Sequence, residues 1–112
     1  MAIDEAPLAR VRALLAGRAD VAERRMMGGR CFMVCGHMCC GVSRDRLMVR
    51  VGRDGHAAAL AEPHVGRLDL GGRHPIGYVL VEREGFRRDA DLRRWLARAL
   101  AVVAALPPRA PA

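Results

Sequence analysis

Lysine is missing from this chain: all 19 basic side chains are arginine. Against 12 acidic residues they leave a formal charge of +7. A charge of that sign attracts anionic partners. The accompanying bias to Ala, Gly, Arg and Pro is what a GC-rich coding sequence produces, and it discounts the high arginine content as a sign of function. Aromatic residues are almost as scarce, namely Phe32, Tyr78, Phe86 and Trp95. The core is therefore expected to be Leu, Val, Met, Ala and Cys. A platform for single-stranded nucleic acid stacks several bases on aromatic rings, and this chain has few to offer.

Other absences exclude whole classes. No apolar run approaches the ~18 residues of a membrane span. Met1 to Pro7 carries Asp4 and Glu5 and no basic segment, so a signal peptide is not expected. The expected compartment is the cytoplasm, where thiols stay reduced. His37, His56, His64 and His74 fall in no metal-ligand or catalytic spacing, and no Ser-His-Asp set or carboxylate pair suggests itself. The glycine pairs Gly28-Gly29 and Gly71-Gly72 match neither phosphate-loop pattern and are expected as turns or bulges. No enzyme activity, small-molecule substrate, cofactor or metal is expected.

What remains is one domain's worth of chain, 112 residues with 52% hydrophobic content, enough to bury a single core. Leu8, Val11, Leu14 and Leu15 recur at helical spacing after Asp4, an acidic cap. Leu92, Trp95, Leu96, Ala99, Leu100 and Val103 do so more strongly, with Arg93, Arg94 and Arg98 off the stripe. Asp89 should cap that last helix, roughly residues 90–105, and 107–112 should form a frayed tail. A short helix is expected after Asp54, a short strand within 64–70 and another over 76–82. Residues 21–27 form a loop leading into a short extended segment.

Arg25 to Val51 is the organising stretch. It predicts three strands joined by two-residue turns at Gly36-His37 and Arg44-Asp45. Alternation then puts Cys31, Met33, Cys35, Met38, Cys40, Val42, Leu47, Val49 and Val51 on one wholly buried face. The opposite, partly open face would carry Arg30, Phe32, Val34, Arg46, Met48 and Arg50, with Cys39, Gly41 and Ser43. An apolar centre at Phe32 and Met48, rimmed by arginine, has the layout of a protein interface, and these six are the expected partner-binding residues. The cysteine spacing, with three residues, three residues and none between successive thiols, is a poor zinc pattern. Cys31, Cys35 and Cys40 are expected as buried packing groups. Cys39, on the open face beside Arg50, is a candidate for thiol redox.

The element order, α-β-β-β-α-β-β-α, predicts an α+β domain with a mainly antiparallel sheet of about five strands and helices on one face. Several segments resemble the N-terminal domain of the TfoX/Sxy family, bacterial regulators associated with natural competence. They are R-R-M-M-G-G (24–29), C-F-M-V-C-G-H-M-C-C-G-V (31–42), R-L-M-V-R-V-G (46–52), G-G-R-H-P-I-G-Y-V-L-V (71–81) and D-L-R-R-W-L-A-R-A-L (91–100). The resemblance implies a fold shared with secretion chaperones and no catalytic residues. Full-length competence regulators add a helical domain after this one, so the chain is expected to be a stand-alone copy of the first. The expected function is a small regulatory or adaptor domain in transcription or competence, working through a protein partner or a second copy. Direct nucleic-acid binding through the arginine surface is the alternative, and thiol redox at Cys39 the third.

Overall fold

The computed structural model describes residues 5–109. Helix α1 spans Glu5–Leu15, and Asp4, its expected cap, lies outside the described residues. Four strands follow: β1 (Val21–Met26), β2 (Gly29–Val34), β3 (His37–Ser43) and β4 (Arg46–Arg50). Then come α2 (Gly52–Leu60), β5 (Val65–Arg67), β6 (Tyr78–Val81), a 3₁₀ turn (Arg83–Gly85) and α3 (Asp89–Ala104). Every pairing is antiparallel, in the order β1-β2-β3-β4-β6-β5. The α+β fold is as expected, with a sixth strand. Residues 21–26, read as a loop, pair with β2 over their whole length. Asp89 opens α3 one position inside the helix, and Arg88 occupies the cap.

The β3–β4 hairpin has the expected register, with Cys40 opposite Val49 and Val42 opposite Leu47. The β2–β3 hairpin does not. Its turn is Cys35-Gly36, one residue earlier, and Val34 pairs with His37. Two-residue hairpin loops favour positive φ at both positions, with glycine second. Cys35 (φ 51°) and Gly36 (φ 81°) satisfy that, as do Met27 (φ 56°) and Gly28 (φ 74°) in the preceding turn. An irregularity between Phe32 and Met33 then absorbs one extra residue of β3 before the ladder resumes at Cys40. This is a bulge. It reverses β2 relative to the expected alternation and leaves β4 as expected.

The helices cover one face. Leu8, Val11, Leu15, Leu92, Trp95, Leu96 and Val103 meet Phe32, Val34, Cys40, Val42, Leu47, Val49, Val79 and Val81 in a single core. Phe86 joins them, under the guanidinium of Arg10, which donates to the carbonyls of Phe86 and Arg87 and to Asp89. Trp95 donates its indole N–H to Gly85 O, and the guanidinium groups of Arg94 and Arg98 lie 4.8 and 4.7 Å from the centre of its ring. Both arginines also pair with Glu62, tying α3 to the end of α2. Of the expected frayed tail, residues 107–109 are held to the sheet: Arg109 N–H donates to Cys35 O, and His37 Nε2 lies 2.6 Å from Pro107 O; residues 110–112 lie outside the described residues.

Candidate interaction surface

The face away from the helices has a different composition. Five of the six methionines in the sequence, Met26, Met27, Met33, Met38 and Met48, gather there with Cys31, Leu68, Leu70, Tyr78 and Leu80. The ladders explain how. Arg24, Cys31, Gly41, Met48 and Leu80 form one cross-strand row, and Met33 lies opposite Met38 in the next. Gly41 makes room within the first row. A Cβ there would come within 2.8 Å of Met48 Cε, so the Met48 side chain lies over the glycine.

The two halves of this face differ. After β5 the chain crosses over β4 and β6, and Leu68 closes on Met48, Met38 and Cys31. Met48 is fully buried there. The other half, over β1 and β2, has no such cover. It holds a groove of about 480 Å³ whose lining includes Ala22, Met26, Met33 and Gly36, with Arg24, Arg109 and an acidic group, Asp20, which Arg18 neutralises. Arg24 and Arg109 make no ion pair among the described residues.

The six expected partner-binding residues do not share a face. Phe32 and Val34, each 2% exposed, belong to the helix-side core. Arg30 is also on the helix side, opposite Val42, where it pairs with Glu23, which also binds Arg12 of α1. Arg46, Met48 and Arg50 do share the face away from the helices, but Met48, the expected apolar centre, is buried there beneath Leu68 and is not exposed to a partner. Arg46 pairs with Glu82 at 3.5 Å. Arg50 stacks on Tyr78 and donates to Met38 O. The bulge is the reason for the scatter, because it separates the parity of β2 from that of β4. The sequence reading missed Ala22, Arg24 and Met26 because it did not see β1. The apolar-polar alternation there is poor, and the usable signal was Met27-Gly28, a turn dipeptide of the same kind as Cys35-Gly36.

The thiols follow the same correction. Cys39 lies in the bulge, fully buried in the helix-side core, and not on an open face. A hydrogen bond between the neighbouring thiols lowers the pKa of Cys39, helped by Arg18 and Arg50, and raises that of Cys40, which burial raises further. Burial pushes the Cys31 thiol up to about 11. Cys35 is the most accessible, and its thiol donates to Asp20 Oδ2 at 3.5 Å. Cys31 and Cys40 face opposite sides of the sheet, so the sulfurs do not converge, and among the described residues no group of three or more His, Cys, Asp or Glu could hold a metal. No described helix is long and apolar enough to cross a membrane.

Comparison with protein families matches residues 13–103 to the family described as TfoX N-terminal domain. Comparison with curated proteins and with solved structures finds no match.

Proposed function

Since the chain belongs to the TfoX N-terminal domain family, we propose that it is a small, non-enzymatic regulatory or adaptor domain that acts in transcription or competence regulation through contacts with another protein. One observation carries this reading. A groove lined by Met26 and Met33, with Arg24 and Arg109 also in its wall, remains uncovered on a sheet whose other face packs against the helices. Methionine side chains are unbranched and polarisable, and they adapt to varied partners. A concave apolar centre with a charged margin is how protein interfaces are built.

The test compares three forms of the full chain as bait in a pull-down read by mass spectrometry: wild type, Met33→Asp and Arg93→Glu. Met33 lines the groove and Arg93 is exposed on α3. Native-like circular dichroism is required of both variants. Loss of the same captured proteins with Met33→Asp and their retention with Arg93→Glu is the expected outcome. Capture that disappears on nuclease treatment and falls steeply with salt would replace this reading with direct nucleic-acid binding.

A further inference from the structure

The groove runs beside a free sheet edge. β1 is the end strand of the sheet and pairs only with β2. In an antiparallel ladder, residues alternate between bonding inward to the partner and pointing their N–H and C=O outward. The phase is fixed here because Asp20 O accepts from Cys35 N at 3.0 Å. Asp20, Ala22, Arg24 and Met26 therefore bond inward, and Val21, Glu23 and Arg25 present N–H and C=O to the outside. Among the described residues no other backbone group takes them up. Exposed strand edges pair readily with extended segments, and proteins usually block them. This edge is six residues long, carries no proline, and borders an apolar groove.

We propose that β1 accepts an extended acidic segment of a partner protein as a seventh strand, with apolar side chains of that segment seated in the methionine groove. The proposal rests on the protein-contact reading above and names the partner's chemistry. Charge selects the occupant. Arg24 and Arg25 sit side by side on β1, Arg109 stands at the groove margin, and the chain carries +7 overall. A second copy carries the same +7 and is repelled as a whole, whereas carboxylates placed against Arg24 and Arg25 would be neutralised. An antiparallel addition places an acidic residue opposite each of Arg24 and Arg25, on opposite faces. Apolar residues fall opposite Ala22 and Met26. Strand addition draws affinity from the main chain and specificity from alternate side chains.

The probe is a rhodamine-labelled eight-residue peptide alternating in part between valine and glutamate to that pattern, read by fluorescence anisotropy and by amide hydrogen exchange on the full chain. Binding should slow exchange at Val21, Glu23 and Arg25. Ala22 and Arg24, already in the ladder, should change little. Arg25→Pro removes an outward N–H and leaves the β1–β2 ladder intact. It should weaken binding by about tenfold or more, whereas Arg25→Ala should weaken it by about threefold. A valine-arginine peptide and a proline-interrupted acidic peptide should not bind. Any one of three results overturns the proposal: protection without the odd-residue pattern, equal binding of the proline-interrupted peptide, or a β1-mediated dimer of the chain without peptide. Failure of the peptide, together with Met33→Asp-sensitive capture in the pull-down, would reject strand addition and leave the protein-contact function standing.

Discussion

The two faces of the sheet are built from different side chains. The helix-side face is largely Val and Leu: Val42, Leu47, Val49, Val79 and Val81, all at 0% exposure. β-Branched side chains have few rotamers and lock against the helices. The other face is built from methionine. Its side chains have three rotatable bonds and fill irregular space, and a single crossing segment covers only half of it. One face specifies the fold. The other is stable without being closed, which is the property an interaction surface needs.

The largest test of that contrast is a charge placed on either face. Val49 lies between Cys40 and Val79 and is fully buried in the helix-side core. Val49→Asp should cost more than about 4 kcal/mol and leave the domain unfolded at neutral pH. Met33→Asp places the same carboxylate on the uncovered half of the methionine face, where water can reach it. Its cost should stay within about 1 kcal/mol in urea denaturation. Equal costs would mean that the groove is closed in solution.

A second, smaller pair compares the rigid core with the crossing segment. Phe32→Ala should cost about 3–5 kcal/mol and shift the whole urea transition, because Phe32 is embedded under the helices. Leu68→Ala should cost about 2 kcal/mol, and part of that loss should be local. Hydrogen exchange is expected to rise in residues 68–74, while β2, β3 and β4 stay protected. Uniform loss of protection would make the crossing segment part of one cooperative unit with the core.

These pairs also show what the sequence disclosed. Elements with a strong period were legible: the stripe of α3, the β3–β4 hairpin, and the division of β6 into Val79 and Val81 against Tyr78 and Leu80. The α+β class followed from them, and the family from the resemblance of whole segments such as residues 31–42 and 71–81. The expected surface came apart because parity is unforgiving. A turn read one residue late, at Gly36-His37 instead of Cys35-Gly36, exchanges Phe32 with Met33. The bulge beside Cys39 then conceals the error, since β3 and β4 still agree with each other. A bulge has no dependable sequence signature. β1 was hidden for a second reason: its burial is partial and its side chains are mixed, as befits an edge. Arg46, Met48 and Arg50 do lie together on the face away from the helices, with Met48 buried there, and the groove beside Arg24 could not be seen without β1.

The smallest effect separates the ion pairs on the two faces. Glu23 joins α1 to the sheet, accepting from Arg12 at 2.6 and 2.8 Å with Arg30 at 3.1 Å. The hydrogen bonds from Arg12 hold its carboxyl below the usual pKa, burial opposes them, and the charges of Arg12 and Arg30 add to the lowering. An acid whose pKa is lower in the folded state contributes stability above its unfolded pKa of about 4.3 and loses it as pH falls through the folded value. Glu23→Gln should therefore be less stable than wild type at pH 7. The gap should close on acidification below about pH 4, once both proteins carry a neutral side chain there. Arg12 is 43% exposed, so screening keeps the gap smaller than either effect above, and added salt should narrow it. On the methionine face, Arg46 and Glu82 are farther apart, and Glu82 is half exposed. Glu82→Gln is the control and should leave the urea midpoint at pH 7 unchanged. A Glu23→Gln gap that persists unchanged at pH 3 would mean that position 23 acts through packing, and that α1 is held to the sheet by its leucines alone.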